Sequence, residues 1–419
     1  MKPCAAILTV GDELILGDRM DTNGPWISRT LLEHGIKTSE RCSVSDSIPV
    51  ISKAIIRLAK LNSVVFVTGG LGPTEDDRTT EALADALGEQ LVHDDDALAS
   101  IEKWFEARGV VRPPQNDIQA MRPISSDWIE NKAGTAPGLL ATIGNCTVVC
   151  LPGPPSELQP MLGTILPDVI APIDCTGPVC TTEVRAWGMP ESVAGEKIAA
   201  FMQQQEPRVS ILMGKEGIVA RVTSADASLV KETVSRIQEL WSPWAFGTNE
   251  ATLASSIGEL LVGGSVSTAE SCTAGLLCDA FANTPGASKW FVGGWVTYAN
   301  EMKMSQLGVA GALIDSAGAV SAEVARAMSE GAVACSGSLA AVSTTGIAGP
   351  TGGTTRKPLG TVFIGCTVHG DTTVREFRFT GTRNEVRQRA TFSALQMLRF
   401  RVLDLDVPTM CWQHGEVFT

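Results

Sequence analysis

Ser271 and Lys303 are the two side chains whose types and spacing point most directly to chemistry. A serine hydroxyl needs a base before it can attack, and no histidine lies near the run Ala269-Glu270-Ser271-Cys272-Thr273-Ala274-Gly275. A lysine does that work when burial lowers its pKa enough to leave it neutral. Lys303 closes the segment Tyr298-Ala299-Asn300-Glu301-Met302-Lys303, five positions after the only tyrosine of the chain. Ser271 follows an apolar stretch, 261–268, and stands before a helix-like stretch, 273–282. That placement would aim backbone N–H groups at an oxyanion beside the hydroxyl. The plain alternative is a serine N-cap with a tyrosine on a nearby strand. A third segment favours chemistry. Thr344-Thr345-Gly346-Ile347-Ala348-Gly349-Pro350-Thr351-Gly352-Gly353 follows the apolar run 339–342, and a strand entering a glycine-rich loop brings backbone amides against a phosphate.

The first third of the chain has its own constellation. Gly69-Gly70-Leu71-Gly72-Pro73-Thr74-Glu75-Asp76-Asp77 follows the apolar run 63–68. Glycines at a strand end admit a phosphate, and Asp76 and Asp77, with Asp12, are candidates to hold a divalent metal ion beside it. Two other apolar runs end in the same way: one in Gly11-Asp12-Glu13, with Asp21, Thr22 and Asn23 close behind, the other in Pro152-Gly153-Pro154-Pro155-Ser156-Glu157. Ligands of open parallel sheets bind outside the carboxyl ends of strands. Three such ends therefore predict one shared cleft, against the alternative of separate turns with solvated acids.

The elements that must position these residues are legible as alternating patterns. Apolar runs at 5–10, 64–68 and 147–151 alternate with helical spacing at 23–34, 50–59 and 96–108, which predicts a parallel sheet with helices on both faces. The proline-rich stretch 167–178 marks a boundary. A smaller unit over 181–244 reads strand, helix, strand, strand, helix, its last helix carrying Val230, Val234, Ile237 and Leu240 on one face. A second alternating region starts near Glu250 and runs nearly to the end.

At this point the residues resemble a known family, the CinA (competence/damage-inducible) proteins. The three C-terminal segments are similar, in order, to that family's AESCTGG, Tyr-x-Asn-x-x-Lys and Gly-Ile-Ala-Gly-Pro-x-Gly-Gly pattern, with Lys357-Pro358-Leu359-Gly360 and the Arg383 to Arg387 segment following. Ala274 departs from it, standing where the family usually has glycine. The N-terminal segments, together with Asn131 and Gly134-Thr135-Ala136-Pro137-Gly138, are similar to the family's molybdopterin-binding-like domain.

The resemblance implies an α/β protein in three parts. Residues 1–168 would be a molybdopterin-binding-like α/β/α domain with metal-dependent ADP-ribose pyrophosphatase activity. Residues 169–247 would be a small α+β KH-type connecting domain, and 248–405 an α/β domain that deamidates nicotinamide mononucleotide, leaving 406–419 as a tail without a family reading. In the C-terminal domain it implies Ser271, Lys303 and Tyr298 as catalytic residues, with Glu270, Thr273, Thr345, Gly346, Gly349, Arg383 and Arg387 binding substrate. In the N-terminal domain it implies substrate contacts from Gly11, Asn23, Gly69, Gly70, Thr74, Gly134, Thr135, Pro152 and Gly153, and metal contacts from Asp12, Asp76 and Asp77. A homodimer is implied as well, and no cofactor for the C-terminal domain. The alternatives are nucleotide sensors or scaffolds without turnover, or an N-terminal domain that handles molybdopterin.

Composition excludes other classes. The 419 residues, 44% hydrophobic and 19% charged, are those of a globular chain with ample core. A net charge of −13 argues against a general nucleic-acid surface. No Gly-x-x-Gly clamp is read between Thr181 and Trp244, so RNA binding is not expected. No apolar run approaches the roughly 18 residues of a membrane span, and the apolar start is interrupted by Gly11-Asp12-Glu13, as in a buried first strand rather than a signal sequence. The 11 cysteines include no C-x-x-C pair, so reduced core cysteines and a cytoplasmic location are expected. Cys272 as an alternative nucleophile lacks a histidine partner. The histidines are isolated, and the Asp94-Asp95-Asp96 run after His93 reads as a helix start.

Overall fold

The computed structural model describes residues 4–173, 177, 179–214 and 216–418. It divides into two compact units, residues 1–180 and 181–419. The first unit runs β1 (Cys4–Val10), α1 (Asp12–Leu16), α2 (Asn23–Glu33), β2 (Lys37–Val44), α3 (Ile48–Ala59), β3 (Val64–Thr68), α4 (Thr79–Leu87), β4 (Leu91–His93), α5 (Asp95–Glu106), β5 (Met121–Pro123), β6 (Asp127–Ile129), β7 (Gly138–Ile143), β8 (Cys146–Leu151) and α6 (Pro155–Ile170).

Its main sheet has the order β2-β1-β3-β8-β7-β6. The first four strands are parallel, as the alternating runs predict, but β7 runs antiparallel between β8 and β6. The cause is local. Only Gly144 and Asn145 separate β7 from β8, Gly144 has φ 62, and two such residues make a tight hairpin. Side chains alternate across the central strands. Ala6, Leu8, Val65 and Val67 pack with Ile51, Ile55 and Leu83 on one face. Ala5, Ile7, Val64 and Phe66 pack with Ile27, Leu31, Leu158 and Leu162 on the other. Helices therefore cover both faces, and the carboxyl ends of β1, β3 and β8 open together. Asp94 caps α5, accepting from Ala97 N at 2.9 Å, as the acidic helix start predicts. Of the expected proline-rich boundary, α6 continues to Ile170, and residues 174–176 and 178 lie outside the described residues.

The second unit runs β9 (Cys180–Ala186), α7 (Glu191–Met202), β10 (Arg208–Gly214), β11 (Gly217–Ser224), α8 (Ala227–Leu240), β12 (Ala245–Thr248), α9 (Leu253–Leu260), β13 (Val266–Glu270), α10 (Leu276–Ala282), β14 (Phe291–Val296), α11 (Asn300–Leu307), α12 (Gly311–Ala317), α13 (Ala322–Ser336), β15 (Ala340–Gly346), β16 (Thr361–Val368), β17 (Asp371–Arg378), α14 (Arg383–Val402) and β18 (Gln413–Phe418). It holds a four-stranded sheet, β10-β11-β9-β12, and a six-stranded sheet, β14-β13-β15-β16-β17-β18.

The expected order of small elements is present, with β12 added, but these elements do not stand as a discrete connecting domain. Gln396 Nε2 donates to the carbonyls of Trp187 and Trp244 at 3.1 Å each. Arg399 donates to the carbonyls of Pro243 and Ala245, and the Trp187 ring packs 5.1 Å from Phe392. The spelling Gly-x-x-Gly does occur, at Gly214 and Gly217, contrary to the reading above. Those glycines pair with each other across the β10–β11 hairpin, so they close a strand turn and form no loop at a helix end that could clamp a nucleotide backbone. The tail is likewise structural: β18 extends the sheet beside β17. Among the described residues no helix is long and apolar enough to cross a membrane, and the cysteines are free thiols.

Candidate functional site

Ser271 stands at the carboxyl end of β13, a strand flanked in parallel by β14 and β15. Lys303 comes from α11, is 1% exposed, and places Nζ 3.2 Å from Ser271 Oγ. Its other neighbours are the carbonyl oxygens of Thr297, at 2.8 Å, and Tyr298, at 3.2 Å. Burial pushes the Lys303 pKa below its usual value. A neutral amine has two N–H groups and one lone pair. With the two carbonyls taking the N–H groups, a neutral Lys303 would have its lone pair free for the Ser271 proton, which is the arrangement a serine nucleophile requires. Thr297, which supplies one of the carbonyls, is a positioning residue that the sequence pattern does not single out.

The turn after Ser271 departs from a simple helix start. α10 begins only at Leu276, and Ala274 and Gly275 both have positive φ, 50 and 97. Ala274 therefore occupies a left-handed position that suits the family's glycine better. Ser271 N donates to Thr344 O at 2.9 Å, whereas the N–H groups of Cys272 and Thr273 find no acceptor among the described residues. They are the donors available to an oxyanion. The Cys272 thiol is pushed up to about 12 by burial, which removes it as a nucleophile.

Several residues expected to touch substrate have partners within the protein. Glu270 is fully buried, and its carboxylate accepts from the N–H groups of Gly275, Leu277 and Cys278 at 2.9–3.1 Å. It caps α10. Thr345 Oγ1 donates to Ala319 O at 2.7 Å, and the Thr273 hydroxyl pairs with that of Thr344. A side chain at Gly346 would meet Val362 Cγ2 at 2.6 Å. The Tyr298 phenol does not reach Ser271. It is 56% exposed and accepts from Arg383 at 2.8 Å. Arg383 also donates to Gly349 O, at 2.6 Å, and Arg387 to Thr273 O, at 2.8 Å. Both arginines of α14 thus border the serine turn and the glycine-rich loop, one turn apart on the same helix face.

In the first unit a cleft of ≈ 640 Å³ lies at the ends of β1, β3 and β8. Gly11, Asn23, Gly69, Gly70, Thr135, Pro152, Gly153, Asp76 and Asp77 line it together, so the three strand ends do share one cleft. Asn23 Nδ2 ties them, donating to Gly153 O at 2.7 Å and to Thr68 Oγ1 at 3.1 Å. Gly69, with φ 100, allows a backbone crossing in which a Cβ would fall 2.3 Å from Val10 O.

Thr74, Gly134 and Asp12 do not line the cleft. Thr74 shapes the acidic loop, with its N–H 3.0 Å and its hydroxyl 2.6 Å from Asp77 Oδ2. Gly134 N donates to Asn131 Oδ1, and a Cβ there would overlap the Glu157 carboxylate. Asp12 exchanges hydrogen bonds with Asp46, giving its N–H to the Asp46 carboxylate at 2.8 Å. Asp46 is the missed residue: it lines the cleft, and its pKa is raised by burial and by the charges of Asp12, Glu13 and Asp76. No three His, Cys, Asp or Glu side chains converge as a ready-made metal cluster among the described residues.

Comparison with known proteins bears on both sites. The family model described as "CinA C-terminal domain" matches residues 250–402, and "Probable molybdopterin binding domain" matches residues 6–171. The CinA-like protein of Dictyoglomus thermophilum is 37% identical over 95% of this chain and 99% of its own. This chain belongs to the CinA family. Another relative, the CinA-like protein of Kosmotoga olearia, is 36% identical over 96% of this chain and 99% of its own length. The crystal structure of the protein CinA from Thermoplasma acidophilum is 36% identical, covers 40% of this chain and 99% of that chain, and has a TM-score of 0.38, a likeness too low to carry an argument. The CinA C-terminal domain match contains Ser271, Lys303, Arg383 and Arg387, and the molybdopterin-binding-like match contains the whole N-terminal cleft. Residues 181–248 fall between the two.

Proposed function

We propose that this CinA-family chain is a two-site hydrolase of pyridine nucleotides. In the C-terminal domain, nicotinamide mononucleotide and water give nicotinate mononucleotide and ammonia. Ser271 Oγ attacks the carboxamide carbon while Lys303 Nζ takes the hydroxyl proton. The N–H groups of Cys272 and Thr273 receive the oxyanion. Lys303 then returns the proton to the departing nitrogen, ammonia leaves, and a water molecule, deprotonated by Lys303, hydrolyses the acyl-serine. Arg383, Arg387 and the glycine-rich loop supply charge and amides for the ligand phosphate. The observation that carries this reading is the buried lysine 3.2 Å from the serine hydroxyl, with two carbonyls on its N–H groups.

In the N-terminal domain, the pyrophosphate of ADP-ribose is hydrolysed in the glycine-lined cleft. Asp76 and Asp77 would hold a divalent ion brought in with the pyrophosphate, which would neutralise charge on the pyrophosphate oxygens. Gly69 and Gly70 let the loop pack against Val10 and Thr79 at the mouth of the cleft, and Asn23 ties the strand ends together. The chain is further proposed to work as a homodimer.

Ammonia release from nicotinamide mononucleotide by the full chain tests the first activity. The wild-type chain should release ammonia, and Ser271→Ala should lose it by about three orders of magnitude or more. Equal release by wild type and Ser271→Ala would remove the serine from the mechanism. Tight binding of the mononucleotide without any release would make this domain a sensor instead.

A further inference from the structure

Strand edges are normally blunted by charge, proline, bulges or a covering element, because an open edge invites another strand. The edge strand β2 carries Lys37, Glu40 and Arg41, β6 opens on Asp127, β10 on Arg208, and β18 includes His414, while the uncharged edge strand β12 is only four residues long and has Arg399 on its Ala245 carbonyl. β14 is different. It pairs with β13 on one side only and reads Phe291-Val292-Gly293-Gly294-Trp295-Val296, and no charged residue occurs from Trp290 to Asn300. Val292 is 55% and Val296 46% exposed. Tyr298 and Met302, just beyond the strand, are exposed as well.

We propose that β14 is where two copies of this chain meet, strand against strand and antiparallel about a two-fold axis, forming one continuous sheet. This goes beyond the homodimer above by assigning its surface. Charge selects a second copy as the occupant. The chain carries a net −13, so copies repel each other over most of their surface and approach most readily along a neutral strip. The strip is bounded by two exposed residues of opposite sign, Lys289 before it and Glu301 after it. Antiparallel pairing lays the start of one strand against the end of the other. Each Lys289 is thereby brought towards the partner's Glu301, whereas a parallel arrangement would set like charges together. The outward N–H and C=O groups of β14 gain partners, and Val292 and Val296 lose water contact.

Light scattering on the full chain tests this over a wide concentration range. The wild type should approach about twice its 44.2 kDa mass. Val292→Lys with Val296→Lys should give the monomer mass with an unchanged circular dichroism spectrum and melting temperature. Lys289→Glu and Glu301→Lys should each weaken the dimer about tenfold, and the two together should restore it, as expected of a direct charge pair. The charge exchange decides the matter if the valine variants fail to fold. A monomeric wild type would overturn the proposal, as would a dimer that tolerates both lysines, or a charge exchange no tighter than either single variant.

Discussion

Lys303 shows how much of the chemistry rests on one side chain's surroundings. Burial lowers its pKa from the ordinary lysine value of 10.5, so the neutral, proton-accepting form grows as pH rises through the lowered pKa. Deamidation should therefore climb with pH and level off below pH 10.5, and a pH–rate profile on the wild type checks it. Lys303→Arg should be inactive at every pH, since guanidinium does not deprotonate in this range. Ala274 permits a second test. Its φ of 50 is strained for an L-residue, so Ala274→Gly should raise unfolding stability by up to about 1 kcal/mol in a denaturant titration. At this scale Ser271 and Lys303 are legible from residue type and spacing. The roles of Tyr298 and Glu270 are not, because nothing in a sequence says that a phenol turns to Arg383 or that a carboxylate turns back onto its own helix.

Single elements place those residues. β13 delivers Ser271 to the end of the sheet, and α10 is held behind it by Glu270, which satisfies three backbone N–H groups that have no partner within the helix. Glu270→Ala would leave them without that partner, the Leu277 N–H in a buried position. It should cost about 2 kcal/mol or more in thermal or denaturant unfolding, and should also reduce deamidation by loosening the turn. α14 begins with a capping box, Thr382 with Glu385, which fixes the turn that aims Arg383 and Arg387 at the site. Removing either arginine by substitution with alanine should raise KM for the mononucleotide more than it lowers kcat, as steady-state kinetics can separate. The helices at 23–34, 50–59 and 96–108 and the apolar strands that alternate with them were legible from periodicity, whereas α14, buried nearly all round, offered no helical stripe. β2 was not: it reads Lys-Thr-Ser-Glu-Arg-Cys-Ser-Val with every residue partly or fully exposed. Asp46, just beyond its end, was hidden for the same reason, since no apolar run announced a strand end there. The β7–β8 hairpin was announced by its Gly-Asn turn, but apolar runs alone say nothing of strand direction.

Across the whole molecule, the two proposed sites differ in charge. Asp46, Asp76 and Asp77 line the N-terminal cleft, whereas the serine–lysine pair is bordered by backbone groups and arginines, and the buried Glu270 beside it caps a helix. Two α/β regions were legible from alternating runs. The attachment of residues 181–248 to the C-terminal sheet was not, because it depends on Gln396, Arg399 and Trp187 meeting carbonyls and rings distant in sequence. Asp77→Ala should remove ADP-ribose cleavage and leave ammonia release intact, apart from any loss of stability seen in a melt. The division of labour itself is tested most directly by adding a chelator to one preparation of the full chain and following both reactions. ADP-ribose hydrolysis should stop and return when a divalent ion is restored, while deamidation of nicotinamide mononucleotide continues at its original rate. Deamidation that collapses with the chelator, or pyrophosphate cleavage that survives it, would contradict the account.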